Sequence, residues 1–192
     1  MQEDNYLLGY LAHYVSPQGA YYGGLLVTDT RGIPVEFRHS AAVTPTRIQS
    51  LLYGDSLELS IGTDALAPEL YRALTRKPDI LLIDKGSRSL FGTFLVSYPP
   101  CALLVALADK DIGSLPDFIA LEGISSLYPV ELAHKGANNE KIYAYIEDTY
   151  SDNKGETVLK RAQSQMNLVS PFNRIRIVLE EISRTEPGRH RK

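Results

Sequence analysis

The chain has 192 residues, of which 44% are hydrophobic and 22% are charged, and its formal net charge is −3. This length suits one domain with a core of its own. The negative charge argues against non-specific binding along nucleic acid, because such binding usually requires a strongly basic domain. A single cysteine excludes both an internal disulfide and a cysteine-based zinc cage.

Three β-strands are predicted at the start of the chain, over residues 6–15, 20–28 and 33–43. Turn sequences rich in proline, glycine and aspartate separate them, at residues 16–19 and 29–32. The third strand alternates apolar and charged residues, as a half-solvated antiparallel strand requires. The pattern therefore predicts a three-stranded antiparallel meander.

A helical region and a central strand are predicted next. Thr44 followed by Pro45 is typical of a helix start, and Gly54 ends that helix. Pro78 ends a second helix, over residues 64–77, and the apolar run 80–83 follows it. A continuous apolar run is typical of a strand that is covered on both faces, so this strand is expected at the centre of its sheet.

The second half of the chain is predicted to hold further strands and two helices. We expect the last helix to begin at Ser170 and Pro171, with Arg174 and Arg176 facing water. The helix before it is predicted over residues 155–168. Strands are predicted over residues 94–97, 101–108, 118–121, 130–133 and 142–147.

These elements predict one α+β domain over residues 1–192. Its sheet is expected to be mixed and mostly antiparallel, to open with the meander, and to carry helices on one face and two helices at the C-terminus. Residues 6–86 hold the meander, the first helices and the central strand, residues 87–185 hold the rest, and residues 186–192 are a basic, disordered tail. With no secretory signal and no apolar run near 20 residues, we expect a cytoplasmic protein without a membrane segment.

The order of meander, helix and central strand over residues 6–86 resembles the start of the ribonuclease-H-like fold, as also found in endonuclease V. The resemblance implies a nuclease that holds divalent cations between an aspartate in the first strand and another near the end of the fourth. Asp84, followed by Lys85 and Gly86, matches the second position. The first strand has no carboxylate, and His13 there lacks the anionic oxygen that magnesium prefers.

The sequence therefore leaves an enzyme as the alternative. It would be a divalent-metal-dependent nuclease or phosphodiesterase centred on Asp84, with Asp29 or Glu36 as helpers and magnesium or manganese as cofactor. Asp84 and Asp29 also suit turns or caps, where aspartate commonly binds nearby backbone groups.

The main prediction is a non-catalytic subunit or adaptor in a cytoplasmic multi-protein assembly, with no cofactor and no metal site, because no catalytic cluster stands out. Another protein subunit is the expected partner, and the charge does not indicate nucleic acid. Arg47 is a candidate partner-binding residue because positive charge is disfavoured at a helix N-terminus, and Tyr53 lies at the other end of the same helix. The twelve tyrosines, several of them in strands such as Tyr10 and Tyr22, suit a protein interface.

Overall fold

The computed structural model describes residues 6–95, 101–107, 127–132, 141–147 and 154–185. In these ranges seven strands form one sheet. The strands are β1 Leu7–Val15, β2 Tyr21–Asp29, β3 Pro34–His39, β4 Ile80–Asp84, β5 Cys101–Leu107, β6 Leu127–Leu132 and β7 Lys141–Glu147. Their order across the sheet is β3-β2-β1-β4-β5-β7-β6.

The sheet is mixed and mostly antiparallel, as predicted. β1, β2 and β3 form the expected meander, and β5, β7 and β6 form a second antiparallel group. Between these groups β1, β4 and β5 run parallel. The α+β fold class is thus confirmed, and β4 is the central strand that its apolar run predicted.

Six α-helices lie in the described ranges. They are α1 Arg47–Tyr53, α2 Leu57–Ser60, α3 Ala67–Ala73, α4 Arg88–Leu95, α5 Lys154–Gln163 and α6 Ser170–Thr185. Tight turns at Gly54–Ser56 and Lys85–Ser87 and a wide π-helical turn at Ile61–Leu66 join them to their neighbours.

Helices cover both faces of the sheet, although the sequence led us to expect them on one. Even-numbered residues of β1, such as Leu8 and Tyr10, pack in a core cluster with α5 and α6, including Phe172. Odd-numbered residues, such as Leu11, pack in a second cluster with the π-helical turn, α3 and α4, including Phe91. Because strand side chains alternate between faces, a strand buried on both sides supplies both clusters.

Several elements differ from their predicted bounds, and two of these differences have a clear physical reason. Residues 94 and 95 end helix α4, where a strand was predicted, because a short apolar run suits either structure. The first helix begins two residues late, at Arg47, because Thr46 and Gln49 form a reciprocal capping box there. The predicted strand at 118–121 and the tail at 186–192 lie outside the described residues.

The π-helical turn brings one glycine into direct contact with another helix. A Cβ atom built on Gly62 would lie 1.9 Å from the backbone oxygen of Leu90 in α4. Real side chains do not approach a backbone oxygen that closely, so this packing requires glycine. The contact fixes α4 against the turn, and α4 carries Phe91, whose ring packs against His13.

Candidate functional site

The candidate site lies where β1 and β4 run side by side in the same direction. Leu11 of β1 pairs with Ile83 of β4, so the next step of the register sets Ala12 beside Asp84. Ligands of sheets with parallel strands commonly bind at the carboxyl ends of those strands. Asp84 is the last residue of β4 and stands at this end.

Both carboxylate oxygens of Asp84 accept hydrogen bonds. Oδ1 accepts from the backbone N–H of Ser87 at 3.0 Å and thereby caps the turn that leads into α4. Oδ2 accepts from Nη2 of Arg176, on α6, at 2.6 Å. The same Nη2 lies 3.4 Å from Oγ of Ser87, which is fully buried. Asp84 is therefore both a turn cap and one half of an ion pair.

His13 of β1 completes this group, which we call the Asp84 cluster: His13, Asp84, Ser87 and Arg176. Nδ1 of His13 lies 3.3 Å from Oγ of Ser87. Burial and the nearby Arg176 guanidinium lower the pKa of His13 below its usual value, although the charges of Asp84 and of Glu58 in α2 oppose this. The lowered pKa favours the uncharged imidazole at neutral pH, which is the form that can accept a proton.

Asp29 does not reach the Asp84 cluster. It pairs with Leu7, at the opposite end of β1 from Ala12, and five strand residues span about 16 Å. Its carboxylate instead accepts hydrogen bonds from the side chain of Arg31 and from the backbone N–H groups of Arg31 and Ile33. Asp29 therefore closes the second turn of the meander, and these backbone and arginine donors hold its pKa below the usual value even though burial alone would raise it.

Glu36 is also away from the Asp84 cluster, because β3 is separated from β4 by two strands. Its carboxylate accepts hydrogen bonds from the backbone N–H groups of Thr75 and Arg76, just after α3, at 3.0 to 3.1 Å. Arg38 donates to the same carboxylate at 2.9 Å. Glu36 thus fastens the end of α3 to the edge of the meander, which is a structural role.

We expect Glu36 to make the stability of the fold depend on acid pH. The backbone N–H of Thr75 first, and then Arg76 and Arg38, lower the pKa of Glu36 from 4.5 to about 2. A carboxylate with a lowered pKa stabilises the fold above pH 4.5, and this stabilisation is lost as the pH falls toward 2. We expect it to contribute about 1–2 kcal/mol to the free energy of unfolding after solvent screening. Urea unfolding of the wild type and of Glu36→Gln at several pH values measures this contribution. The free energy of unfolding of Glu36→Gln should depend less on pH between 4.5 and 2 than that of the wild type. An equal pH dependence in the two proteins would contradict this role of Glu36.

Arg47 and Tyr53 lie at the two ends of α1, and the structure does not bring them to Asp84. No residue of α1 is buried. Tyr53 is 48% exposed, and Leu51 and Leu52 between them are 75% and 78% exposed. The carboxylate of Glu36 pairs with Arg38 and not with Arg47. Both residues therefore belong to an exposed surface separate from the Asp84 cluster.

Two members of the Asp84 cluster were missed at the level of sequence. The helical pattern predicted that Arg174 and Arg176 face water, yet Arg176 binds Asp84 and Arg174 donates two hydrogen bonds to the carbonyl oxygen of Gly32. Arg176 lies 92 positions from Asp84, and no local pattern links the two residues. Ser87 follows a glycine in a turn, and nothing in its neighbours marks it as buried.

The described residues do not fit the divalent cation that the ribonuclease-H-like resemblance implies. Magnesium prefers several oxygen ligands, chiefly carboxylates and water. The one carboxylate of the Asp84 cluster is occupied by an arginine and a backbone donor, and β1 offers Ala12 where an acid is needed. Over the described ranges, no group of three histidine, cysteine, aspartate or glutamate residues is placed to hold a metal ion.

Comparison with known proteins gives matches among solved structures only. No protein-family model matches the chain, and no curated protein sequence does. Human endonuclease V is similar over 97% of this chain and 87% of its own, with a TM-score of 0.47 and 12% identity. Endonuclease V of Ciona intestinalis, bound to DNA containing an inosine, is similar over 94% and 89%, with a TM-score of 0.44 and 10% identity.

A third similar structure is the Argonaute of Marinitoga piezophila in complex with a guide RNA. The similarity covers 83% of this chain and 25% of that one, with a TM-score of 0.37 and 9% identity.

The comparison corrects the main functional prediction. The solved structures similar to this chain include endonuclease V, a nuclease, so the prediction of a non-catalytic subunit or adaptor is wrong. The tyrosine argument for an interface also weakens, because Tyr10 is fully buried and Tyr22 is 3% exposed. Among the helices of the described residues, none is long and apolar enough to cross a membrane.

Proposed function

We propose that this protein is a nuclease or phosphodiesterase that acts on nucleic acid at the carboxyl end of β1 and β4. The observation that carries the proposal is the Arg176–Asp84 ion pair beside the half-buried, uncharged His13. This arrangement sets an anion-binding group and a proton acceptor on either side of Ser87.

Arg176 is suited to hold a phosphodiester. A guanidinium has five N–H donors in a planar fork that matches phosphate oxygens. Within the described part of the chain, Nη2 is the donor of Arg176 that binds Asp84 and Ser87. The side chain is 31% exposed, which leaves the remaining donors within reach of a ligand. Asp84 thus orients the guanidinium while the phosphate binds its other side.

The local charge also favours an anionic substrate. Lys85 and Arg88 closely follow Asp84 in the chain, and with Arg176 they carry three positive charges. Asp84 and Glu58 carry two negative charges. The group therefore carries one positive charge more than negative, although the whole chain carries −3. Phosphate contacts of this kind supply affinity without reading sequence.

His13 supplies the proton chemistry in this proposal. A water molecule attacks phosphorus, its proton passes to the imidazole, and the bond to the leaving sugar oxygen breaks as that oxygen takes a proton from solvent. Arg176 stabilises the charge that develops on the non-bridging oxygens. No step is assigned to a metal, because the described donors do not form a cation site.

Hydrolysis of labelled oligonucleotides tests the function. The wild-type chain is incubated with single-stranded and duplex DNA and RNA in EDTA, magnesium or manganese, and the products are resolved by size. We expect cleavage by the wild type and a rate lowered about 100-fold or more in Asp84→Ala, since Asp84 orients the phosphate-binding arginine.

Asp29→Ala is the matched control for this assay. It removes a partly exposed aspartate that also binds an arginine, but at the other end of β1. It should retain the wild-type rate within a few-fold. Absence of cleavage of every substrate under all three conditions, or equal rates in Asp84→Ala and wild type, would contradict the proposed function.

A further inference from the structure

We propose that α1 and the turn after it form the contact between two copies of this chain. The surface consists of Arg47, Ile48, Leu51, Leu52 and Asp55, which we call the α1 face. This inference is independent of the proposed nuclease function, because the α1 face shares no residue with the Asp84 cluster.

The apolar part of the α1 face is unusually exposed. Ile48, Leu51 and Leu52 are 69%, 75% and 78% exposed. Spacings of three and four residues place side chains on one side of a helix, so these three form one contiguous strip. Single exposed apolar residues are ordinary, whereas a contiguous strip of large ones is typical of an interaction surface.

α1 also lacks the burial that usually stabilises a helix. It has seven residues and none of them is buried. Helices shorter than about 12 residues are marginal in water on their own, and most gain stability from packing an apolar side. The capping box of Thr46 and Gln49 fixes where α1 begins but covers none of its apolar strip. A second surface packed on the strip would supply the missing burial.

The charges at the two ends of the α1 face identify a second copy as the occupant. Arg47 lies at the N-terminal end, and Asp55 lies just beyond the C-terminal end, in the turn Gly54–Ser56. Neither side chain makes an ion pair or hydrogen bond within the described part of the chain. A two-fold axis through Leu51 and Leu52 would align two α1 helices antiparallel, so that Arg47 of each copy meets Asp55 of the other.

This pairing also explains the position of Arg47. A positive charge in the first turn of a helix is disfavoured by the helix dipole, and α1 has no acidic residue there to offset it. In the antiparallel pair an aspartate from the second copy lies beside that turn. The strip spans only about 20 Å even when extended through α2, so the interface is smaller than a standard one and we expect a weak, concentration-dependent dimer.

Charge reversal tests this contact in the full-length chain by sedimentation equilibrium from about 1 to 200 µM, a range that covers micromolar dissociation constants. Arg47→Glu alone brings two acidic side chains together at each end of the antiparallel pair, and Asp55→Arg alone brings two basic side chains together there. Each should weaken dimerisation about tenfold or more. In an equimolar mixture of the two variants, each mixed dimer joins opposite charges at both of its ends.

The antiparallel geometry identifies the residues that meet in the mixed dimer. Position 47 of one copy meets position 55 of the other. At one end of a mixed dimer, the glutamate at position 47 of the Arg47→Glu copy therefore faces the arginine at position 55 of the Asp55→Arg copy. The other end then joins the native Arg47 of one copy to the native Asp55 of the other. Both ends carry opposite charges, and the mixture should therefore dimerise as tightly as the wild type.

Two further variants make the test specific to the α1 face. Leu52→Lys, in the middle of the strip, should abolish the dimer, whereas Ile177→Lys should not, since Ile177 is similarly exposed at 66% but lies on α6. Circular dichroism confirms that each variant is folded. A wild type that stays monomeric to about 200 µM would overturn the proposal and assign the strip to a different macromolecule. A dimer whose dissociation constant is the same in the wild type, Arg47→Glu and Asp55→Arg would also overturn the proposal.

Discussion

Replacing Arg176 with alanine is expected to lower the rate of oligonucleotide cleavage by about 100-fold, because it removes the donor that holds the phosphate. The loss should appear in kcat/KM. Arg176→Lys should recover only part of it, since lysine keeps the charge but not the planar fork that binds Asp84 and phosphate together. Steady-state kinetics of the three proteins measures the difference.

The matched control for Arg176→Ala is Arg184→Ala. Arg184 lies two turns further along α6 and pairs with Glu180 and Glu181 at the surface. Its removal should change the cleavage rate less than about twofold, because exposed pairs contribute about 1 kcal/mol or less and the residue is remote from Asp84. Equal losses in the two variants would show that charge on α6, rather than the Asp84 cluster, supports cleavage.

A double variant separates catalysis from stability. Arg176→Ala leaves the 17%-exposed carboxylate of Asp84 without its cation, which costs about 1–3 kcal/mol of folding free energy. Adding Asp84→Asn removes the unpaired charge and should recover most of that stability in urea unfolding. The double variant should remain inactive. Recovery of cleavage together with stability would contradict the phosphate-binding role of Arg176.

Replacing Gly62 with alanine is expected to be the most destabilising single methyl addition to the described chain. The new Cβ would lie 1.9 Å from the backbone oxygen of Leu90 and 2.5 Å from its carbonyl carbon, and a backbone atom cannot rotate away as a side chain can. The π-helical turn and α4 must separate, which we expect to cost about 2–4 kcal/mol. The melting temperature should fall by about 5–15 °C.

Gly19→Ala is the control for Gly62→Ala. Gly19 adopts φ +80 in the first turn of the meander, and nothing lies within 4 Å of a Cβ there. Only backbone strain of about 1 kcal/mol is expected. Gly62→Ala should also slow cleavage, because α4 carries the Phe91 ring that packs against His13. A Gly62→Ala protein as stable as the wild type would show that the contact with Leu90 relaxes freely.

Much of the fold could be predicted because local signals were strong. The two turns of the meander end in Gly19 and Gly32, which both adopt φ +80, where glycine is favoured. The apolar run of β4 marked a strand covered on both faces. Helix α4 could not be predicted, because an apolar run of this length suits a helix as well as a strand, and its start depends on the cap that Asp84 provides.

The candidate site was only partly predictable. Asp84 was found from its place at the end of a central strand, but its partner Arg176 is brought to it by the packing of α6 across the sheet. Asp29 and Glu36 were chosen as acids near the meander, and the register of β1 with β2 and the order of the strands separate them from Asp84. Such long-range pairings depend on tertiary structure and leave no local pattern in a single sequence.

Mapping the nucleic-acid contact on the protein tests directly whether substrate binds at Asp84 and Arg176. A single-stranded oligonucleotide carrying 4-thiothymidine is cross-linked to the wild-type chain by ultraviolet light, and the modified peptides are identified by mass spectrometry. We expect cross-links in the segment from Asp84 through α4 and around Arg176, and we expect them to be lost in Arg176→Ala but not in Arg184→Ala. Cross-links confined to α1 or to the β3 edge, or a pattern unchanged in Arg176→Ala, would contradict it.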